Sequence, residues 1–188
     1  MAIKTLASRR IAIDSILVAS SLIVFVVENL FPPLILPGAK LGLANIFTLF
    51  SLILFSPLDA NIIFLLRIVL GNIIVGNISA LMYSLPAGLI SLNISALLIR
   101  YFSHKLSIIS ISVMGAVLHN IIQNLIFYLV TSTSEVFGYT PYLSLLGVLS
   151  GVVVGVSVYL IIKFVPTSVY EKFLKNNTKE NNKLEEIH

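Results

Sequence analysis

The chain has 188 residues, of which 57% are hydrophobic and only 11% charged, and its mean hydropathy is +1.03. Soluble domains carry about 25% charged residues, so a water-soluble globule is excluded and the composition points to an all-α integral membrane protein with the lipid bilayer as its solvent. The absence of Cys excludes a disulfide framework, a thiolate metal site and a cysteine nucleophile. The formal charge of +4 sits on residues that flank apolar segments, without the aromatic-interleaved patch that would mark a nucleic-acid partner.

About 20 apolar residues cross a bilayer as a helix, and six segments approach that length. Residues 1–10 form a cytoplasmic N-terminal segment. The apolar run that follows exceeds a signal-peptide core and has no small-residue cleavage site, which makes Ile11–Phe31 a first membrane helix that is retained. The stretch Glu28–Phe47 then carries three prolines, a Pro-Gly turn, Lys40 and Asn45 between apolar runs. Proline lacks an N–H and disfavours helix at the preceding residue, so the Pro32–Lys40 loop is expected to cap a pocket at the membrane surface. Glu28 and Lys40 would stand at its mouth.

The next spans are expected at Leu41–Phe55, Ala60–Tyr83, Ala87–Tyr101, Ser107–Thr131 and Tyr142–Val165. The second and fourth are short, and Gly71–Gly76 is a candidate break in the third. The six-helix membrane domain thus covers 11–165, and 166–188 is a polar cytoplasmic tail. Six spans put both termini on one side. Arg9, Arg10, Arg100, Lys105 and Lys163 gather there, which by the positive-inside rule is the cytoplasm. The outer connections are then Pro32–Lys40, a turn at Ser84–Pro86, and Thr131–Pro141.

Polar residues inside the spans are the candidates for function. Arg67 within a span costs at least about 2.5–3.5 kcal/mol on insertion scales, so it must face the bundle interior. It is an anion ligand, a link to a partner subunit, or one half of a pair with Asp14 or Asp59. His119, Asn120, Gln123 and Asn124 recur at helical spacing as a polar stripe on the fifth span. Packing hydrogen bonds between helices are one reading of the stripe and a ligand-facing surface is the other. Asn45, Asn72 and Asn77 add neutral donors and acceptors. Gly147, Gly151 and Gly155 allow a close neighbour, and Ser15 and Ala19 do so on the first helix. No Walker loop, G-x-S-x-G or H-E-x-x-H is present, and no paired aspartates stand ready for magnesium. No catalytic residue, metal site or cofactor is therefore predicted.

At PGAKLGLANIFTL, LLRIVLGNIIVG and GAVLHNIIQN the chain resembles a bacterial membrane family labelled either Gx transporter family or heptaprenyl diphosphate synthase component I. The resemblance runs from about Ile11 to Val165. The transporter label implies an S component of an energy-coupling factor (ECF) importer, a six-helix protein that binds a small vitamin-like or cofactor-precursor ligand. Such a protein works with an ECF coupling membrane subunit and two ATPases, and Ser15-x-x-x-Ala19 approximates the small-residue docking motif of the family. The resemblance so read makes the chain a non-catalytic uptake subunit. Its pocket would be lined by Asn45, Asn72, Asn77, His119, Asn120 and Gln123, with Arg67 stabilising the bundle or touching the coupling subunit. The synthase label implies the alternative: an accessory membrane subunit for a prenyl synthase in menaquinone side-chain synthesis, or a scaffold for a redox partner in flavin-linked extracellular electron transfer.

Overall fold

The computed structural model describes residues 2–31 and 41–164. Their regular structure is entirely helical: α1 Ala2–Leu30, α2 Asn45–Leu54, α3 Pro57–Val75, α4 Ile78–Phe102, α5 Ile108–Thr131 and α6 Thr140–Phe164. A 3-10 helix, Ser134–Tyr139, leads into α6. The proline-rich stretch 32–40, including Lys40, and the tail 166–188 lie outside the described residues.

Burial runs opposite to that of a water-soluble domain. Ile11, Ile16, Ile23, Leu30, Leu70, Ile74, Leu129 and Phe164 face outward, while Ser21, Ser51, Arg67, Asn72 and Ser91 are buried. Apolar side chains outside and polar ones inside suit hydrocarbon as solvent, where each polar group must find a partner within the protein. All helices except α2 contain stretches long and apolar enough to cross a membrane. The ten residues of α2 rise about 15 Å, half of the roughly 30 Å hydrocarbon core.

Local chemistry sets where each helix begins and ends. Ser56 caps α3, accepting from the Asp59 amide at 3.3 Å with Pro57 at the first helical position, where a missing N–H costs nothing. Gly76 closes α3 in the left-handed region at φ 73°. Asn77 then opens α4 by accepting the Ala80 amide at 3.3 Å. The expected third span, Ala60–Tyr83, therefore ends eight residues earlier than its apolar run suggests, and the expected turn at Ser84–Pro86 lies inside α4. The candidate break at Gly71–Gly76 is where α3 ends, at Gly76, and a new helix follows in place of the rest of the expected span. Pro86 lies within a 25-residue helix, a position that membrane helices tolerate more readily than soluble ones.

Successive helices reverse direction. At one end Arg10, near the base of α1, holds Asp59 of α3: Nη2 to Oδ2 is 2.5 Å, Nε to both oxygens is 3.2 Å, and Nη2 also donates to Ser56 Oγ at 3.0 Å. At the other end Glu28 of α1 meets the turn that opens α2. The glycine row of α6 lies against α5 of the same chain. A Cβ on Gly147, Gly151 or Gly155 would come within 3.1, 2.5 and 2.8 Å of the Cα atoms of Val117, Val113 and Ile109. Leu49, Leu52, Ala60, Phe64, Ile68, Leu92, Val154 and Val158 form the apolar core between the helices.

Candidate functional site

Arg67 lies near the middle of α3 and is 4% exposed. Its guanidinium is flanked by two phenyl rings, 5.3 Å from the Phe64 centroid and 5.9 Å from that of Phe25, within cation–π range. Glycines make room for both rings: a Cβ on Gly71 would strike Phe25, and one on Gly88 would strike Phe64. Nη2 donates to Asn45 Oδ1 at 2.9 Å, while the buried Nε has no partner among the described residues. Asp59, one of the two acids expected to pair with Arg67, is held by Arg10 instead. Asp14 Oδ1 has no partner among the described residues.

Asn45 owes its position to an irregular segment tied into α1. Gly42 adopts φ 66°, and the turn is closed by Asn45 N to Gly42 O at 2.9 Å and Ile46 N to Leu43 O at 3.0 Å. Glu28 accepts the amides of Leu43 and Ala44 at 3.0 and 3.4 Å, and Ser21 donates to the Ala44 carbonyl at 3.1 Å. Irregular backbone at membrane depth is tolerated where protein groups take up its polar atoms. A carboxylate beside the amino end of a helix also meets the positive end of its dipole. Glu28 thus fixes the start of α2, and α2 delivers Asn45 to Arg67.

A cavity of about 80 Å³ opens beside this group, walled by α2, α3, α4, α5 and α6. Asn45 and Thr48 of α2, Ser91 and Ser95 of α4, Ser112 and His119 of α5, and Ser150 of α6 supply its polar lining, among Phe64, Leu92 and Val154. The hydroxyls of Ser91, Ser95 and Ser150 donate to carbonyls of their own helices. The Thr48 hydroxyl, on a residue 4% exposed, has no partner among the described residues, and neither does that of Ser51 one turn further on. A second, mostly apolar cavity of about 110 Å³ is lined by Leu49, Ile53, Ile99, Leu106, Ile108 and Ile111 together with Ser103. Leu49 borders both.

Of the residues expected to bind a ligand, the fold brings Asn45 and His119 to one cavity, with Arg67 behind Asn45. Glu28 is engaged at the α2 turn. Asn72, buried, donates to the Ile68 carbonyl at 2.7 Å, and the exposed Asn77 caps α4. The stripe on α5 divides. Asn120 donates to the Leu143 carbonyl at 2.7 Å, and Asn124 donates to Val136 O and Thr140 Oγ1, so these two tie α5 to α6 and the 3-10 helix. Gln123 is half-buried one turn from His119 and is not part of the cavity wall. Ser15 and Ala19 are exposed on α1, with Ser15 donating to the Ile11 carbonyl. Thr48 and the cavity serines escaped notice in the sequence. The available signal was their spacing: Ser91 and Ser95 are one turn apart, and Ser112, Gly115, Ala116 and His119 share one helical face.

Among the described residues no three His, Cys, Asp or Glu side chains converge into a metal-binding group. A family model described as heptaprenyl diphosphate synthase component I matches residues 17–161. That range contains every residue of both cavities. No curated protein matches the chain. No solved structure matches it either.

Proposed function

The chain belongs to the heptaprenyl diphosphate synthase component I family, and on that footing we propose that it is the membrane-embedded, non-catalytic subunit of a prenyl diphosphate synthase. It holds an isoprenoid within the bilayer for a separate catalytic subunit. The family match carries this reading. One feature of the molecule supports it. A polar cavity that meets an apolar one across Leu49 suits an amphiphile with a compact polar head and a hydrocarbon tail.

In this reading all six helices lie in the membrane, with both ends of the chain cytoplasmic. The support is the placement of charge. Arg10 and Asp59 mark one end of the bundle, Arg100, Lys105 and Lys163 belong to the helix ends that share it, and Glu135 belongs to the opposite connection. Basic residues near span ends favour the cytoplasmic side, where a soluble synthase would dock.

The test is purification of the tagged protein from its native membranes in mild detergent, with mass spectrometry of what accompanies it. A prenyl synthase catalytic subunit is the expected companion, and deletion of the chain should lower the host's long-chain prenyl diphosphate product. Recovery of two ATPases and a coupling membrane subunit would make the chain an importer's substrate-binding component and overturn the proposal. A redox protein without a synthase would overturn it in favour of the electron-transfer role.

A further inference from the structure

We propose that the outward face of α4 along Ile90, Asn93, Leu97 and Arg100 is a docking seam for a transmembrane helix of a different membrane protein. That helix offers Asn93 a hydrogen-bond donor and Arg100 an acid. The inference takes from the reading above only that α4 crosses the bilayer, and its partner is distinct from a soluble synthase.

The first ground is an amide pair on the outside of the bundle. Hydrocarbon offers polar groups no partner, so within spans they turn to the bundle interior. Asn93 of α4 is nevertheless exposed, and Asn61 of α3, which it meets, is only half-buried. The two carboxamides exchange hydrogen bonds of 3.2 Å. Each also donates to a carbonyl one turn back, Asn61 to Pro57 at 2.7 Å and Asn93 to Leu89 at 2.8 Å. A carboxamide carries two N–H groups and an oxygen with two lone pairs. All four N–H groups are therefore spent, and each oxygen keeps one lone pair. The pair lies about 6 Å along α3 from Pro57 and about 10 Å along α4 from Arg100. What it lacks at that depth is a donor.

The second ground is the pattern around Asn93. Ile90, Asn93, Leu97 and Arg100 follow at intervals of three, four and three residues, the spacing by which one helix packs along another. Ile90 is 45% and Leu97 52% exposed, and Arg100 is exposed as well. The inward face of α4 is a different one, made of Ala87, Gly88, Ser91, Leu92 and Ser95. Arg100 lies 5.8 Å from the Tyr101 ring and pairs with no carboxylate among the described residues. No Asp or Glu occurs in the sequence between Asp59 and Glu135. A helix with an acid level with Arg100 and a Ser or Thr hydroxyl two turns deeper answers both residues. A second copy of this chain does not. Copies that enter the membrane the same way round would set acceptor against acceptor at Asn93 and cation against cation at Arg100.

The test is photocrosslinking of the full chain in its native membranes. A photoreactive phenylalanine analogue replaces Ile90 or Leu97, with Leu149 on the exposed face of α6 as control, and the adducts are identified by mass spectrometry. The expected product, from the two α4 positions but not from the control, is one membrane-spanning protein attached through a transmembrane segment that bears a hydroxyl side chain. Asn93→Leu and Arg100→Glu should each lower its yield by about threefold or more, the scale of one interhelical hydrogen bond. Asn93→Leu also cuts the tie to Asn61, so its unfolding temperature is measured alongside; should it fail to fold, Arg100→Glu decides alone. Adducts with lipid only, with a second copy, or with a protein that has no transmembrane segment would overturn the inference. Unchanged yield in the variants would do the same. A negative result on this face leaves recovery of a soluble synthase unaffected, and failure to recover a synthase leaves the seam standing.

Discussion

At Arg67 the cost of a buried cation is spread over three unlike contacts: the Asn45 carboxamide, the Phe64 ring and the Phe25 ring. Each ring exists where it does because a glycine faces it, so Gly71 and Gly88 act on the arginine at one remove. Gly71→Ala places a methyl in the body of the Phe25 ring, which cannot swing away as the tip of a flexible chain could. It should destabilise the folded protein by about 1–3 kcal/mol, the usual range for overpacking, as read by thermal unfolding in detergent. In a Phe25→Leu background the same substitution should cost less, because the two sites then no longer collide. Equal cost in both backgrounds would remove Phe25 from the explanation. The need to bury Arg67 was legible in the sequence from its place within an apolar run. Its partner was not, since Asn45 reaches it only after the chain has turned through Gly42 and been pinned by Glu28.

Among the helices, the α5–α6 pair shows how much a periodic pattern conveys and where it stops. Four-residue spacing announced that Gly147, Gly151 and Gly155 admit a close neighbour, and the neighbour is α5 of the same chain. Gly151→Leu should separate the pair and cost at least about 1–3 kcal/mol, seen as a lowered unfolding temperature or loss of monodisperse protein. A substitution of equal size at the exposed Val152 of the same helix is the control. The polar stripe on α5 was legible as a stripe, but helical spacing cannot say which side chains a neighbouring helix will claim. Asn120 and Asn124 went to carbonyl and hydroxyl oxygens at the α6 side, and His119 remained for the cavity. The α3–α4 boundary was half legible: the candidate break at Gly71–Gly76 falls where Gly76 closes α3, but the span was carried on to Tyr83 because Pro86 resembled a stronger stop, and Pro86 lies within a helix.

Taken whole, the molecule has an orientation that can be read chemically, because a chain without native cysteine accepts single reporters. Ser134→Cys, exposed in the connection before α6, should react with a membrane-impermeant maleimide applied to intact cells. His104→Cys, exposed between α4 and α5, should react only after the membrane is opened. The opposite labelling would invert the molecule and move its docking face to the other side. The glycine seam bears on motion as well. With backbone set against backbone along three turns, α5 and α6 form a stiff leaf on which Ser112, His119 and Gly151 are carried together. On its other side α5 meets α4 through a side chain, with Ser95 filling the space a Cβ on Gly115 would take.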